Sequence, residues 1–128
     1  MATVAVDFDG VIHSYEEGWA DGTIYGGLVP GTTSALRNLM RGFAVYVLTC
    51  RTPLEHVAKW ITLATEIPAV ADQGTLRFWH ERDRILVTGR KLPAIAYIDD
   101  RAVAFRDWGR ALSDVAAIHC AATGRARP

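Results

Sequence analysis

Cysteine is scarce: Cys50 and Cys120 are the only two in 128 residues, and they stand at no metal-ligand spacing. They read as reduced thiols, and a chain of this length, able to bury about two-thirds of its unfolded surface, needs neither disulfide nor structural metal to fold. Long hydrophobic runs are lacking too. No window approaches the ~18 apolar residues of a membrane span, and the opening MATVAVDFDG has no basic segment followed by a long apolar region. The expectation is a cytoplasmic protein with no membrane partner. Neither sign of charge is in excess, with 14 basic residues against 14 acidic. That leaves no overall electrostatic footprint for nucleic acid, which enters only as a candidate substrate. Repeats, low-complexity tracts and linkers are missing as well, so residues 1–128 read as one domain, with 123–128 a flexible tail.

What is present is a globular composition, half hydrophobic and 22% charged, which excludes a disordered chain. Thr3 to Phe8 is a short Val/Ala-rich run stopped by Gly10, the signature of a buried strand. Residues 11–30 (VIHSYEEGWADGTIYGGLVP) hold no period and read as an irregular flap with room for a small hairpin. A helix starts at Pro30-Gly31-Thr32-Thr33, carries Ala35, Leu36, Leu39 and Met40 on one stripe, and ends at Gly42. Phe43 to Leu48 is a second strand. Thr52-Pro53 opens a helix with Leu54, Val57, Ala58 and Ile61 on one face, stopping before Pro68. Ile85 to Thr88 and Ile95 to Ile98 read as further strands, Val103 to Phe105 as a short fifth, and Asp107 to Ala121 as a closing helix, while Ala69 to Arg82 carries no clear signal. Apolar strands alternating with amphipathic helices predict an α/β fold: a doubly wound, Rossmann-like, mostly parallel five-stranded sheet with helices on both faces and a short flap after the first strand.

Such sheets bind ligands beyond the carboxyl ends of their strands. There the sequence sets Asp7 and Asp9 after the first strand, Thr49-Cys50-Arg51 after the second, Gly89-Arg90-Lys91 after the Ile85–Thr88 run, and Asp99-Asp100-Arg101 after the next. Each has an ordinary reading: Asp in turns, Thr as a helix cap, Lys as a solvated loop residue. Together they pose an electrostatic problem. Asp7, Asp99 and Asp100 at adjacent strand ends cannot all ionise cheaply, and a divalent cation resolves the conflict. Hard oxygen ligands without Cys or His point to Mg²⁺, which is commonly held by one or two carboxylates plus a substrate phosphate.

Asp7-Phe8-Asp9-Gly10-Val11, then Thr49, Lys91 and Ile98-Asp99-Asp100-Arg101 resemble, in order and approximate spacing, the four motifs of the haloacid dehalogenase superfamily of phosphohydrolases; the resemblance runs from about residue 3 to 105. It implies that Asp7 is the nucleophile forming an aspartyl-phosphate, and that Asp9 protonates the leaving oxygen, then activates water and offers its backbone carbonyl to Mg²⁺. It further implies that Thr49 hydrogen-bonds a phosphoryl oxygen, that Lys91 neutralises the phosphate and holds Asp7, and that Asp99, with Asp100 a direct or outer partner, completes the metal site. Asp9 favours phosphate-ester over carbon–halogen chemistry, since the family's dehalogenases lack the second Asp. Two departures stand: Lys91 follows Arg90, a competitor for its role, and the acidic pair is adjacent, which leaves open how Asp99 and Asp100 divide the metal.

Members of the family usually carry a cap domain over the site. Here only residues 11–30 are available, so the site is expected to be minimally capped, suiting a polynucleotide end, a phosphoprotein, or a small nucleotide or phosphometabolite enclosed by a second subunit of a homo-oligomer. His13, Tyr15, Trp19 and Tyr25 are candidates to stack on a base or sugar, or to pack the flap onto the core. Arg51 and Arg101 are candidates for a second phosphate or for surface ion pairs. Beside the phosphatase reading stand a phosphotransferase and a non-catalytic or receiver-like phosphate-binding domain. A receiver, however, carries its phosphorylated Asp near mid-chain, where this sequence has Thr49-Cys50-Arg51.

Overall fold

The computed structural model describes residues 2–126. Among them the chain forms β1 (Thr3–Asp7), α1 (Thr32–Met40), β2 (Ala44–Leu48), α2 (Leu54–Thr65), β3 (Ala69–Ala71), β4 (Ile85–Thr88), β5 (Ala96–Ile98) and α3 (Trp108–Ala126). The strands make one five-stranded sheet in the order β3-β4-β2-β1-β5, and every pairing is parallel. This is the expected α/β, Rossmann-like architecture.

Side chains alternate across the strands and so build two cores. Val4, Val6, Val45, Val47, Ile85 and Val87 point to one face, where Leu36 of α1 and Val57, Ala58 and Ile61 of α2 cover them. Those helical residues recur at intervals of three and four, which keeps one apolar stripe against the sheet. Glu66, in the left-handed region at φ 61°, ends α2, and its N–H donates to the Thr62 carbonyl.

The opposite face carries Ala5, Ala44, Tyr46 and Leu86. The sequence predicts a helix there, and the structure corrects this: Trp79 and Leu92, from irregular chain on either side of β4, cover that face instead. Irregular backbone can lie on a core only if its polar groups find partners. Here hydroxyls supply them, Thr3 Oγ1 donating to the Trp79 carbonyl at 2.7 Å and Tyr46 Oη to the Leu92 carbonyl at 2.6 Å.

Two further expectations change. The fifth strand is Ala69–Ala71, paired with β4, whereas Val103 to Phe105 stays irregular and mostly exposed. An apolar triplet becomes a strand only beside an open ladder; the chain leaving α2 meets the free edge of β4, while residues 103–105 meet none. The closing helix runs on to Ala126, into the stretch expected to be a tail; the last two residues of that expected tail, 127–128, lie outside the described residues. The flap closes on itself as a short hairpin-like base, with Ser14 N–H donating to the Gly27 carbonyl at 3.0 Å and Val29 N–H to the Ile12 carbonyl at 2.9 Å. No helix among the described residues is long and apolar enough to cross a membrane.

Candidate active site

Because all the strands are parallel, their carboxyl ends share one edge. The connection from β4 crosses the sheet to reach β5 on the far side of β1, while the chain leaving β1 goes the other way. The crevice between β1 and β5 is therefore the topological switch point. Val6 lies opposite Ile98, so Asp7 and Asp99, the next residue on each strand, stand side by side at the ~4.8 Å strand spacing.

Asp7, Asp99 and Asp100 each place a carboxylate oxygen within 4.8 Å of the other two. Gly10 sits at φ +89°, where any side chain would be strained, and the Asp100 carboxylate lies in the space a Cβ there would need. The crowding shows in the acid–base chemistry. The Asp7 carboxyl is pushed up from its ordinary 3.8 to about 6, first by burial, then by the charge of Asp99, with Asp100 adding its own charge and a hydrogen bond. The Phe8 N–H, 2.9 Å from Asp7 Oδ1, pulls the other way. Three hard oxygen donors facing one opening, with no nitrogen or sulfur among them, fit a hard divalent cation such as Mg²⁺.

Asp9 is engaged elsewhere. Its Oδ1 accepts from His13 Nδ1 at 2.8 Å, and Arg51 Nε–H is shared between Oδ1 and Oδ2 at 3.1 and 2.9 Å. His13 Nε2 accepts the Gly26 N–H at 2.9 Å. A ring nitrogen that accepts carries no proton, so the imidazole is the neutral Nδ1–H tautomer and donates to Asp9. His13 is 0% exposed and stacked on Phe8, which corrects the expectation that it stacks on substrate. Arg51 is 3% exposed, so the surface ion pair is corrected as well. Besides Asp9, it donates from Nη1 to the Gly22 carbonyl at 2.7 Å and lies 4.6 Å from the Trp19 ring centroid. Arg51 thus ties the flap to Asp9. Nothing in the residue spacing could reveal this tie, because 42 positions separate its ends.

Thr49 is buried at the end of β2, where its Oγ1 accepts the Arg51 N–H at 3.1 Å and keeps its own proton to donate. Thr49, Cys50, Arg51, Gly89 and Lys91 line an open cavity of about 490 Å³. Lys91 is exposed, with its ammonium 4.7 Å from the Tyr97 ring centroid, and it makes no ion pair with Asp7 in this structure. Arg90 is removed from competition. It holds Asp72 through Nε–Oδ2 at 2.7 Å and Nη2–Oδ1 at 3.0 Å, and together with Thr88 it keeps the Asp72 carboxyl down at about 2.

Tyr15 and Trp19 remain at the rim, Tyr15 with Arg51 and Arg101 near its ring at 5.8 and 6.0 Å. Tyr25 fastens the flap, its hydroxyl donating to the Gly18 carbonyl at 3.0 Å and accepting the Glu17 N–H at 2.7 Å. A cleft of about 580 Å³ lies at the other end of the strands, by Ala2, Phe78 and Pro93, and no carboxylate is among the residues that line it. No family model, curated protein or solved structure gives a significant match to the chain.

Proposed function

We propose that the chain is a Mg²⁺-dependent phosphomonoester hydrolase of the haloacid dehalogenase type, cytoplasmic, with Asp7 as nucleophile. The observation that carries this reading is the convergence of Asp7, Asp99 and Asp100 at the switch point of a parallel sheet; Thr49 and Lys91, which follow β2 and β4, line an open cavity along the same edge. Mg²⁺ held by the three carboxylates would neutralise charge on the phosphoryl group and keep Asp7 ionised near pH 7.

The chain's own residues do the rest. An Asp7 oxygen attacks phosphorus and the bond to the ester oxygen breaks. Asp9, which accepts from His13 and Arg51 in this structure, must first take up a proton from solvent; it passes that proton to the departing alkoxide, which leaves an acyl phosphate on Asp7. Water then attacks that phosphorus as Asp9 takes its proton, the bond from phosphorus to the Asp7 oxygen breaks, and phosphate leaves with Asp7 restored. Thr49 donates its hydroxyl proton to a phosphoryl oxygen, and Lys91, free to swing from Tyr97, pairs with another. His13 and Arg51 keep the Asp9 carboxylate in one orientation. Tyr15, Trp19 and Arg101 form the substrate rim, open enough for a nucleotide, a polynucleotide end or a small phosphometabolite.

The test is phosphate release from p-nitrophenyl phosphate with Mg²⁺. Turnover that EDTA stops and Asp7→Asn abolishes is the expected result. A phosphorylated protein that accumulates without turnover would move the assignment to a receiver-like domain. Release to an added alcohol in preference to water would make it a phosphotransferase. The substrate is best sought with a panel of nucleotides, 3′-phosphorylated oligonucleotides and sugar phosphates.

A further inference from the structure

We infer that Arg51 reads the alcohol half of the substrate: its Nη2 donates to a neutral oxygen on the carbon next to the ester carbon. The substrates are then phosphates of oxygen-bearing alcohols (sugars, polyols, nucleosides) rather than simple alkyl phosphates. This rests on the phosphatase reading above and deepens it.

Two arginines hold a carboxylate in this molecule, and they hold it differently. Arg90 spreads Nε and Nη2 over the two oxygens of Asp72, at 2.7 and 3.0 Å. Arg51 serves both oxygens of Asp9 from Nε alone, at 3.1 and 2.9 Å, and sends Nη1 to the Gly22 carbonyl at 2.7 Å. Its Nη2 is buried and meets no acceptor among the described residues. Arg51 is 3% exposed, so bulk solvent does not take up that donor. A guanidinium cannot shed its proton, and a buried charged donor without a partner is costly to keep.

The place of the spare donor sets what it can meet. Arg51 lines both the cavity with Thr49 and Lys91 and a second one of about 210 Å³ with Gly22, Thr23, Thr52 and His56. In the proposed reaction Asp9 touches the ester oxygen, and Nη2 is the nitrogen beside the Nε that holds Asp9 in the same planar fork. An acceptor for Nη2 therefore belongs to the departing alcohol, close to the ester oxygen. The Trp19 and Tyr15 rings lie 4.6 and 5.8 Å from the guanidinium carbon; Trp19 is 47% exposed, and its turning aside admits the alcohol. Charge decides the kind of acceptor. Asp9 already pairs with Arg51 at 2.9 Å, and Asp7, Asp99 and Asp100 crowd together on the same edge of the sheet. Another anion is repelled there, whereas a hydroxyl or ring oxygen is not.

The test compares 2-hydroxyethyl phosphate with propyl phosphate, which carries a methyl in place of the hydroxyl. The wild type with Mg²⁺ should favour the first by about 10–100-fold in kcat/KM. Arg51→Lys keeps a cation for Asp9 but has no second nitrogen, so it should slow both substrates and erase most of the preference. Calorimetric titration repeats the comparison without turnover, and 3-hydroxypropylphosphonate should bind the wild type roughly tenfold tighter than butylphosphonate. Equal kcat/KM for the two esters, in a protein that hydrolyses p-nitrophenyl phosphate, overturns this inference and leaves the phosphatase reading standing. So does a preference that survives Arg51→Lys, which would assign the oxygen to another donor. Phosphoglycolate outrunning both esters would overturn the neutral acceptor in favour of an anion, and a protein that turns over none of these phosphates overturns both readings.

Discussion

Asp9 follows β1 and Asp99 follows β5, its neighbour in the sheet, yet their surroundings differ. The Asp9 side chain is 15% exposed and held by the neutral His13 ring and the buried Arg51 guanidinium. Asp99 is exposed, and its Oδ1 accepts only the Arg101 N–H of its own turn, at 2.7 Å. The same contrast runs through the sheet: β1, β2 and β4 are almost wholly buried, whereas every residue of β5 is exposed. The β1–β2 side of the site is pre-organised by the protein. The β5 side, with Asp99, Asp100 and Lys91, is exposed; in the proposed function it is the side that a cation and substrate would organise, with proton transfer on the buried side, where preorganised dipoles cost nothing to arrange during reaction.

The sharpest break in that contrast is Asp7→Asn, where the two sides meet. It should lower phosphatase turnover at least ~10³-fold by removing the nucleophile. It should also raise the thermal stability of the metal-free protein at pH 7. Asp7 has a folded value of about 6 against 3.8, so the native state binds the extra proton, and wild-type stability falls as pH rises from about 4 to 6 and stays low above it. Mg²⁺ should reverse that fall in the wild type, and the variant should lack the slope. A metal-free wild type equally stable at pH 4 and 7 in thermal melts would contradict this.

Next in size is packing. Phe8→Ala, in the buried half, should cost about 3–5 kcal/mol in denaturant unfolding, whereas Ile95→Ala beside β5 should stay within about 0.5 kcal/mol. Equal losses at the two positions would erase the distinction between the halves.

His13→Ala should lower kcat by about 10–100-fold on alkyl phosphates, whose alkoxides need the proton from Asp9, and far less on p-nitrophenyl phosphate, whose leaving group does not. A uniform drop on both would mean that His13 serves folding rather than the orientation of Asp9. The smallest effect belongs to Asp72. Its folded value of about 2 lies below the usual 3.8, so its pairing with Arg90 stabilises the protein above pH 3.8, and that contribution fades as pH falls toward 2. Asp72→Asn should therefore flatten the acid limb of the stability curve by a small amount, since the Arg90 side chain is 41% exposed and the pair is screened by water.

Local order alone settles much of this protein. The Val/Ala run from Thr3, the AVYVL of β2, the ILVT of β4 and the stripes of α1 and α2 were legible because apolar period and turn residues act over a few positions. The acidic groups at the ends of β1 and β5 were legible for the same reason, since each follows an apolar strand directly. Tertiary structure alone decided which apolar triplet became the edge strand, because Ala69–Ala71 exists by pairing with β4 and residues 103–105 found no partner. It also decided that irregular chain would cover the second sheet face, and that His13 and Arg51 would serve Asp9. Pairing, burial and hydrogen bonding join residues far apart in the chain, and no run of neighbouring residues contains that information.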